Sequence, residues 1–102
     1  MPGSRRLHPD PSSFVAIGRR LRITRKALNL SQADVSRLSG VGRNTYNQWE
    51  NEVGRPNLDG ALALCNSLNL TLDWIFRGVS AGLPSDLLTK IAAQPKDEDA
   101  AA

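Results

Sequence analysis

The chain has 102 residues, which suits a single domain with one modest hydrophobic core. A single cysteine excludes an internal disulfide framework and suits a reducing cytoplasm, and without an apolar run of about 18 residues or a signal-peptide pattern we expect a soluble protein. The net charge of +3 is uneven: residues 1–55 carry ten Arg or Lys against four Asp or Glu, and residues 56–102 carry three against six. This asymmetry favours a polyanionic partner for the N-terminal half, although an ordinary solvated surface explains it equally well.

The N-terminal part predicts a flexible arm followed by a helix. Residues 1–12 are rich in Pro, Arg and Ser without periodicity, which is typical of a disordered basic arm. From Ser13, inward positions recur every three or four residues and predict a helix that Asn29 ends in the left-handed conformation. These positions are Phe14, Ile17, Leu21, Thr24 and Leu28.

A second, shorter helix follows at once. Ser31 and Asp34 form the pattern of a capping box, so the helix begins at Gln32, and Val35 and Leu38 give it an apolar side. Gly40 ends it after about two turns, because glycine tolerates the positive φ of a tight corner.

The third helix begins near Arg43, after the weak cap Gly42, and must bury Tyr46 and Trp49. Its opposite side carries four amides: Asn44, Asn47, Gln48 and Asn51. A helix surface that is only solvated is expected to carry mainly Glu and Lys, which have high helix propensity. Asn and Gln instead bond bidentately to adenine in the DNA major groove, as Arg does to guanine. The pattern therefore favours base reading over plain solvation.

The remaining sequence predicts three supporting helices. Asn57 caps the fourth, whose inward face is Leu58, Leu62, Cys65 and Leu68. Thr71 caps a short fifth helix with Leu72, Ile75 and Phe76 inward, and Trp74 lies either in the core or at an exposed partner site.

Residues 79–94 form a C-terminal extension with a sixth helix. Ser85 is its predicted cap, and Leu87, Leu88 and Ile91 form its apolar edge. This edge either seals the core or pairs with a second copy of the chain, and we favour dimerisation, because an exposed apolar stripe usually has a partner. Residues 95–102 predict a disordered acidic tail.

The stretch LSQADVSRLSGVGRNTYNQWEN, continued through RPNLDGALALCNSLNLTLDWIFRG, resembles the XRE, or Cro/C1-type, helix-turn-helix family, which includes the lambdoid phage repressors. The resemblance covers roughly residues 14–78. It implies an all-α fold: a compact five-helix DNA-binding domain at residues 13–78, whose third helix enters the major groove, followed by the sixth helix at 79–94.

The resemblance also implies roles for individual residues. The base-reading positions are Arg43, Asn44 and Gln48, with Asn47 at their edge. The positions that contact the DNA backbone are Gln32, Thr45, Asn51 and Arg55. Arg25 and Glu50 correspond to a scaffold ion pair between helices 1 and 3. The sequence departs from the family pattern at Ser36, Gly42 and Tyr46.

We therefore expect a sequence-specific regulator of transcription that binds double-stranded DNA, a repressor acting as a homodimer on an inverted repeat. We expect it in the cytoplasm, bacterial or phage-encoded and associated with the nucleoid. The alternative is a protein-interaction module or an antitoxin on the same scaffold. An enzyme is not expected, because His8 lies in the arm and Cys65 in the core, so no nucleophile has a base beside it. No metal site, cofactor, membrane partner or small-molecule ligand is evident.

Overall fold

The computed structural model describes residues 10–95. Its elements in chain order are α1 (Phe14–Ala27), α2 (Gln32–Ser39), α3 (Arg43–Glu50), α4 (Leu58–Leu68), the short π-helix π1 (Asp73–Arg77) and α5 (Ser85–Ala92). The all-α prediction is confirmed, since this range contains helices and no strand. Residues 1–9 of the predicted arm and 96–102 of the predicted tail lie outside it. None of its helices is long and apolar enough to cross a membrane.

Side-chain caps begin most of the helices where the sequence predicts them. The Ser31 hydroxyl accepts from Asp34 N at 3.0 Å while the Asp34 carboxylate accepts from Ser31 N at 2.9 Å, which completes the capping box. The Asn57 and Thr71 side chains accept from backbone amides three residues further on. Ser85 is the exception: it is already the first residue of α5, so the predicted Ser85 cap is wrong.

Four of the helices, α1, α2, α4 and π1, are followed by residues in the left-handed conformation. Gly40 has φ +81° and makes the corner between α2 and α3, and Asn29 has φ +61° after α1, as predicted. Asn69, after α4, has φ +62°, and Gly78, after π1, has φ +74°. The ends of α1 and α2 thus follow from local sequence chemistry.

One core joins all six helices. α1 packs on α3, π1 and α5, and α2 packs on α3 and α4. The buried apolar residues are Ile17, Leu21, Ala27, Val35, Tyr46, Trp49, Ala61, Leu64, Leu70, Ile75, Leu83 and Leu87. α1 approaches α3 closely at Gly18, where a Cβ would lie 2.8 Å from the Trp49 carbonyl oxygen.

Half of the predicted inward face of α4 is wrong: Cys65 and Leu68 pack against the core as expected, but the other two residues do not. Leu58 and Leu62 are 59% and 40% exposed, whereas Ala61 and Leu64 are fully buried. Large aliphatic residues define the predicted face, but α4 packs against α2 with its smaller residues, and Gly60 leaves room for the Trp49 indole of α3. Two other predicted inward residues, Phe14 and Leu38, are also exposed.

The C-terminal helix seals the core. Leu87 is only 4% exposed, and Leu88 and Ile91 are half-buried against the core. The apolar edge of α5 packs on the same chain, which favours the alternative that it seals the core over an open dimerisation stripe. The half-buried Trp74 also faces the domain, since its Nε1 donates to Thr24 Oγ1 at 2.9 Å.

Candidate nucleic-acid interface

α3 separates its residues into a buried side and a polar outer side. Tyr46 and Trp49 pack edge to face on the inner side, with ring centroids 6.2 Å apart and an interplanar angle of 71°. Four of the predicted DNA-contacting side chains are exposed along the helix: Arg43, Asn44, Thr45 and Gln48. Asn51 is exposed at its C-terminal end, and Asn47 is half-buried. The helix thus presents guanidinium, amide and hydroxyl groups to solvent.

The corner before α3 is held by two serine hydroxyls. Ser36 Oγ donates to the Val41 carbonyl oxygen at 2.6 Å. Ser39 Oγ donates to the Val35 carbonyl oxygen at 2.7 Å and accepts from Val41 N at 3.1 Å. Ser36 therefore satisfies its hydroxyl inside the turn, and these bonds fix the direction in which α3 leaves the corner. Gly42 caps α3 without a side-chain bond, which leaves the first turn of α3 open to solvent.

A buried carboxylate at the C-terminal end of α3 holds three helices together. Glu50 is 1% exposed. Arg25 of α1 donates two hydrogen bonds to it, from Nε to Oε2 at 2.7 Å and from Nη2 to Oε1 at 3.0 Å. Gln32 of α2 donates from Nε2 to Glu50 Oε1 at 3.1 Å. The Arg25 Nη1 donates to the Leu30 carbonyl oxygen at 3.0 Å. Arg25 and Glu50 thus brace the scaffold on its inner side.

These contacts set the charge state of the cluster. Burial by itself raises the pKa of Glu50, but hydrogen bonds from Arg25, Tyr46 and Gln32 outweigh it and hold the pKa below its ordinary value. Burial, reinforced by the negative charge of Glu50, raises the pKa of the Tyr46 hydroxyl far above its usual range. At neutral pH Glu50 is therefore ionised and Tyr46 neutral, and Tyr46 serves as a donor to the carboxylate.

The predicted backbone-contacting residues differ in how much of their hydrogen-bonding capacity the fold uses. The half-buried Gln32 donates one amide hydrogen to Glu50, and within residues 10–95 its second amide hydrogen and its oxygen make no hydrogen bond. Asn51 Nδ2 donates to Asn47 Oδ1 at 3.1 Å, so these amides orient each other. Thr45 is exposed in the first turn of α3.

Arg55 has structural contacts that the sequence did not predict. Its Nε donates to the Ser12 carbonyl oxygen at 2.8 Å, and its guanidinium lies 4.7 Å from the centroid of the Phe14 ring. The arginine is nevertheless exposed. It links the loop after α3 to the chain entering α1, where Asp10 and Ser12 form a hydrogen-bonded turn.

Arg22 is a further residue whose role sequence reasoning missed. It is not among the residues that the sequence singles out, but its Nη2 donates to the Glu50 carbonyl oxygen at 3.0 Å. This carbonyl lies at the C-terminal end of α3, where unpaired acceptors favour a cation. The spacing of three residues between Arg22 and Arg25 is the available signal, because it places both on one side of α1.

Comparison with known proteins agrees with this geometry. A family model described as helix-turn-helix matches residues 21–75. The repressor protein C2 of Salmonella phage P22 is 34% identical over 62 residues, which cover 61% of this chain and 29% of the phage protein. The chain thus spans less than a third of the length of that relative, and no solved structure gives a significant match. With the capped α2, the Gly40 corner and the amide-bearing α3 in place, the chain belongs to the Cro/C1-type helix-turn-helix family of DNA-binding transcriptional regulators.

Proposed function

We propose that this chain regulates transcription by binding double-stranded DNA in a sequence-specific manner, with α3 as the recognition helix in the major groove. The observation that carries the proposal is the outer side of α3, where Arg43, Asn44 and Gln48 are exposed opposite the buried Tyr46 and Trp49. Guanidinium and amide groups are the side chains that read guanine and adenine bidentately. Asn47, half-buried beside them, contributes at the edge of this surface.

The proposed backbone contacts surround the base-reading surface. Gln32 begins α2, where helical amides are unpaired and favour a phosphate, and Thr45 lies in the first turn of α3. Asn51 follows α3, and Arg55 supplies a cation in the next loop. Contacts of this kind position a recognition helix, and they leave the choice of sequence to the base-reading residues.

We further propose that the chain acts as a repressor and binds an inverted repeat as a homodimer. The relative in phage P22 is named a repressor, which supports this mode of regulation. One small module recognises few base pairs, whereas two modules related by a twofold axis read two half-sites about 34 Å apart. Since α5 is packed on its own domain, the proposed dimer does not depend on an uncovered α5 stripe.

Selection of bound sequences from a random duplex library tests the proposal. We expect an enriched inverted repeat, and binding to it that weakens steeply as salt rises, because phosphate contacts release counterions. Sedimentation of the protein on this duplex should give two chains per site. The absence of any enriched sequence would contradict sequence-specific reading, and enrichment of a single half-site with one bound chain would contradict the homodimer.

A further inference from the structure

A pocket of about 380 Å³ lies between α1, π1 and α5. Its walls are mainly apolar and include Ile23, Trp74, Leu88, Ile91 and Ala92; the polar residues that line it are Arg20, Ser80 and Gln94. No residue of α2 or α3 contributes to the wall. Volumes of this size are ordinary for small-molecule sites, which combine an apolar wall with a few polar groups.

Arg20 is the unusual member of this wall. Its side chain is half-buried, and its Nε is buried without a hydrogen-bond partner. Nη2 donates to backbone carbonyl oxygens of Pro11 and Ile75, and the guanidinium lies 5.8 Å from the centroid of the Trp74 ring. Burial lowers the pKa of Arg20, and no nearby carboxylate offsets this effect.

A cation in this position is expected to have a counter-charge. Charged residues are rarely buried unless they are paired, because desolvation of an ion costs several kcal/mol. Among residues 10–95, no Asp or Glu lies within ion-pair distance of Arg20. Arg25, on the same helix, shows the contrast, since Glu50 neutralises it with two hydrogen bonds.

We infer that this pocket binds a small organic anion, a monocarboxylate whose apolar body packs on Ile23, Leu88 and Ile91 and whose carboxylate supplies the counter-charge for Arg20. Both halves of such a ligand match the pocket: the aliphatic wall accepts the hydrocarbon, and the guanidinium attracts a carboxylate. The indole of Trp74 lies in the wall and reports occupancy through its fluorescence. Because α3 does not line the pocket, this site is independent of the proposed DNA-binding function.

Octanoate is the probe for this inference, and octanamide, of the same length but uncharged, is its control. Calorimetric titration of the full chain should give one octanoate site per chain and at least about tenfold weaker binding of octanamide, because a charged hydrogen-bonded partner is lost. Octanoate should also change the Trp74 fluorescence, and Trp74→Phe should remove that change. Equal affinities for the acid and the amide would overturn the assignment to an anion.

Two neighbouring alanines provide a matched pair of variants. Ala92 lines the pocket, whereas Ala93, the next residue, does not. Ala92→Phe should fill the space and abolish octanoate binding, and Ala93→Phe should leave it unchanged. Arg20→Gln should make the acid and amide bind equally. If Arg20→Gln fails to fold because it loses the bonds to Pro11 and Ile75, the alanine pair still decides the question.

Three further results would overturn the proposal. Octanoate binding that persists at full strength in Ala92→Phe would place the ligand elsewhere, so this variant is the principal test. Octanoate binding that appears only after residues 96–102 are removed would mean that the acidic end of the chain occupies the pocket. Sedimentation showing a dimer that Ala92→Phe dissociates would assign it to a second copy of the chain.

Discussion

Gly60 of α4 lies directly against the indole of Trp49 on the buried side of α3. A Cβ on Gly60 would stand 2.5 Å from Trp49 Cη2 and 2.7 Å from Asn57 Oδ1, the atom that caps α4. Neither neighbour moves easily, because Trp49 is packed in the core and Asn57 is bound to Gly60 N. The glycine therefore fixes how closely α4 approaches α3.

Gly60→Ala should destabilise the domain by about 1–3 kcal/mol, the usual cost of overpacking a core. Urea unfolding followed by circular dichroism measures this loss. Gly54→Ala is the matched control, since nothing lies within 4 Å of a Cβ at Gly54. A Gly60→Ala protein as stable as the Gly54→Ala protein would mean that α4 shifts without cost.

The Gly60–Trp49 contact also explains where prediction of the fold from sequence failed. The caps at Ser31 and Asn57 and the corner at Gly40 follow from local chemistry, and the sequence predicts them correctly. The rotation of α4 about its axis depends instead on the contact of Gly60 with Trp49, which lies 11 positions away in the sequence. Hydrophobic periodicity assigns such a glycine to neither face, so the predicted face falls on Leu58 and Leu62.

Glu50→Gln should lower stability before it alters base preference, because it strands the charge of Arg25 beside a neutral amide. The expected loss is about 3–5 kcal/mol at neutral pH, as for one partner of a buried pair. The pKa of Glu50 is lower in the folded than in the unfolded chain. Its contribution is therefore complete above the ordinary glutamate pKa of about 4.3 and is lost as pH falls through the folded-state value.

Unfolding free energies of the wild type and Glu50→Gln, compared at pH 7 and pH 3, check both parts of this prediction. The gap between the two proteins should narrow in acid. Asp73→Asn is the control, because its ion pair with Arg77 at 3.2 Å is exposed and should contribute no more than about 1 kcal/mol. A gap that stays constant with pH would show that the carboxylate charge does not stabilise the fold.

The candidate interface shows a similar division between what sequence can and cannot predict. The outer face of α3 follows from helical periodicity once Tyr46 and Trp49 are taken as buried. The contacts of Gln32 with Glu50 and of Arg55 with Phe14 join residues 18 and 41 positions apart, so they depend on the packed arrangement of several helices. No periodicity within one element contains that information.

Gln48→Ala should relax base preference at one position in each half-site and leave the fold intact. Gln48 is exposed on α3, so its truncation removes the proposed base contact without opening the core, and the discrimination lost should be about 1–3 kcal/mol. Affinities for duplexes that each carry one base change measure this profile. Asn66→Ala removes an exposed amide from α4 and serves as the control. An unchanged profile for Gln48→Ala would remove Gln48 from the base-reading residues.

Leu87→Ala should destabilise the whole domain, because α5 is part of the core. Leu87 is 4% exposed, and truncation of a buried leucine costs about 2–5 kcal/mol through lost burial and the cavity left behind. Lys90→Ala, on the exposed side of the same helix, should change stability by less than about 0.5 kcal/mol.

Deletion after Gly78 removes Leu83 as well as Leu87, so it should unfold the domain instead of releasing a stable monomer. Thermal melts of the three proteins decide this: a shortened chain that melts like the full one would return residues 79–94 to the role of a separate extension.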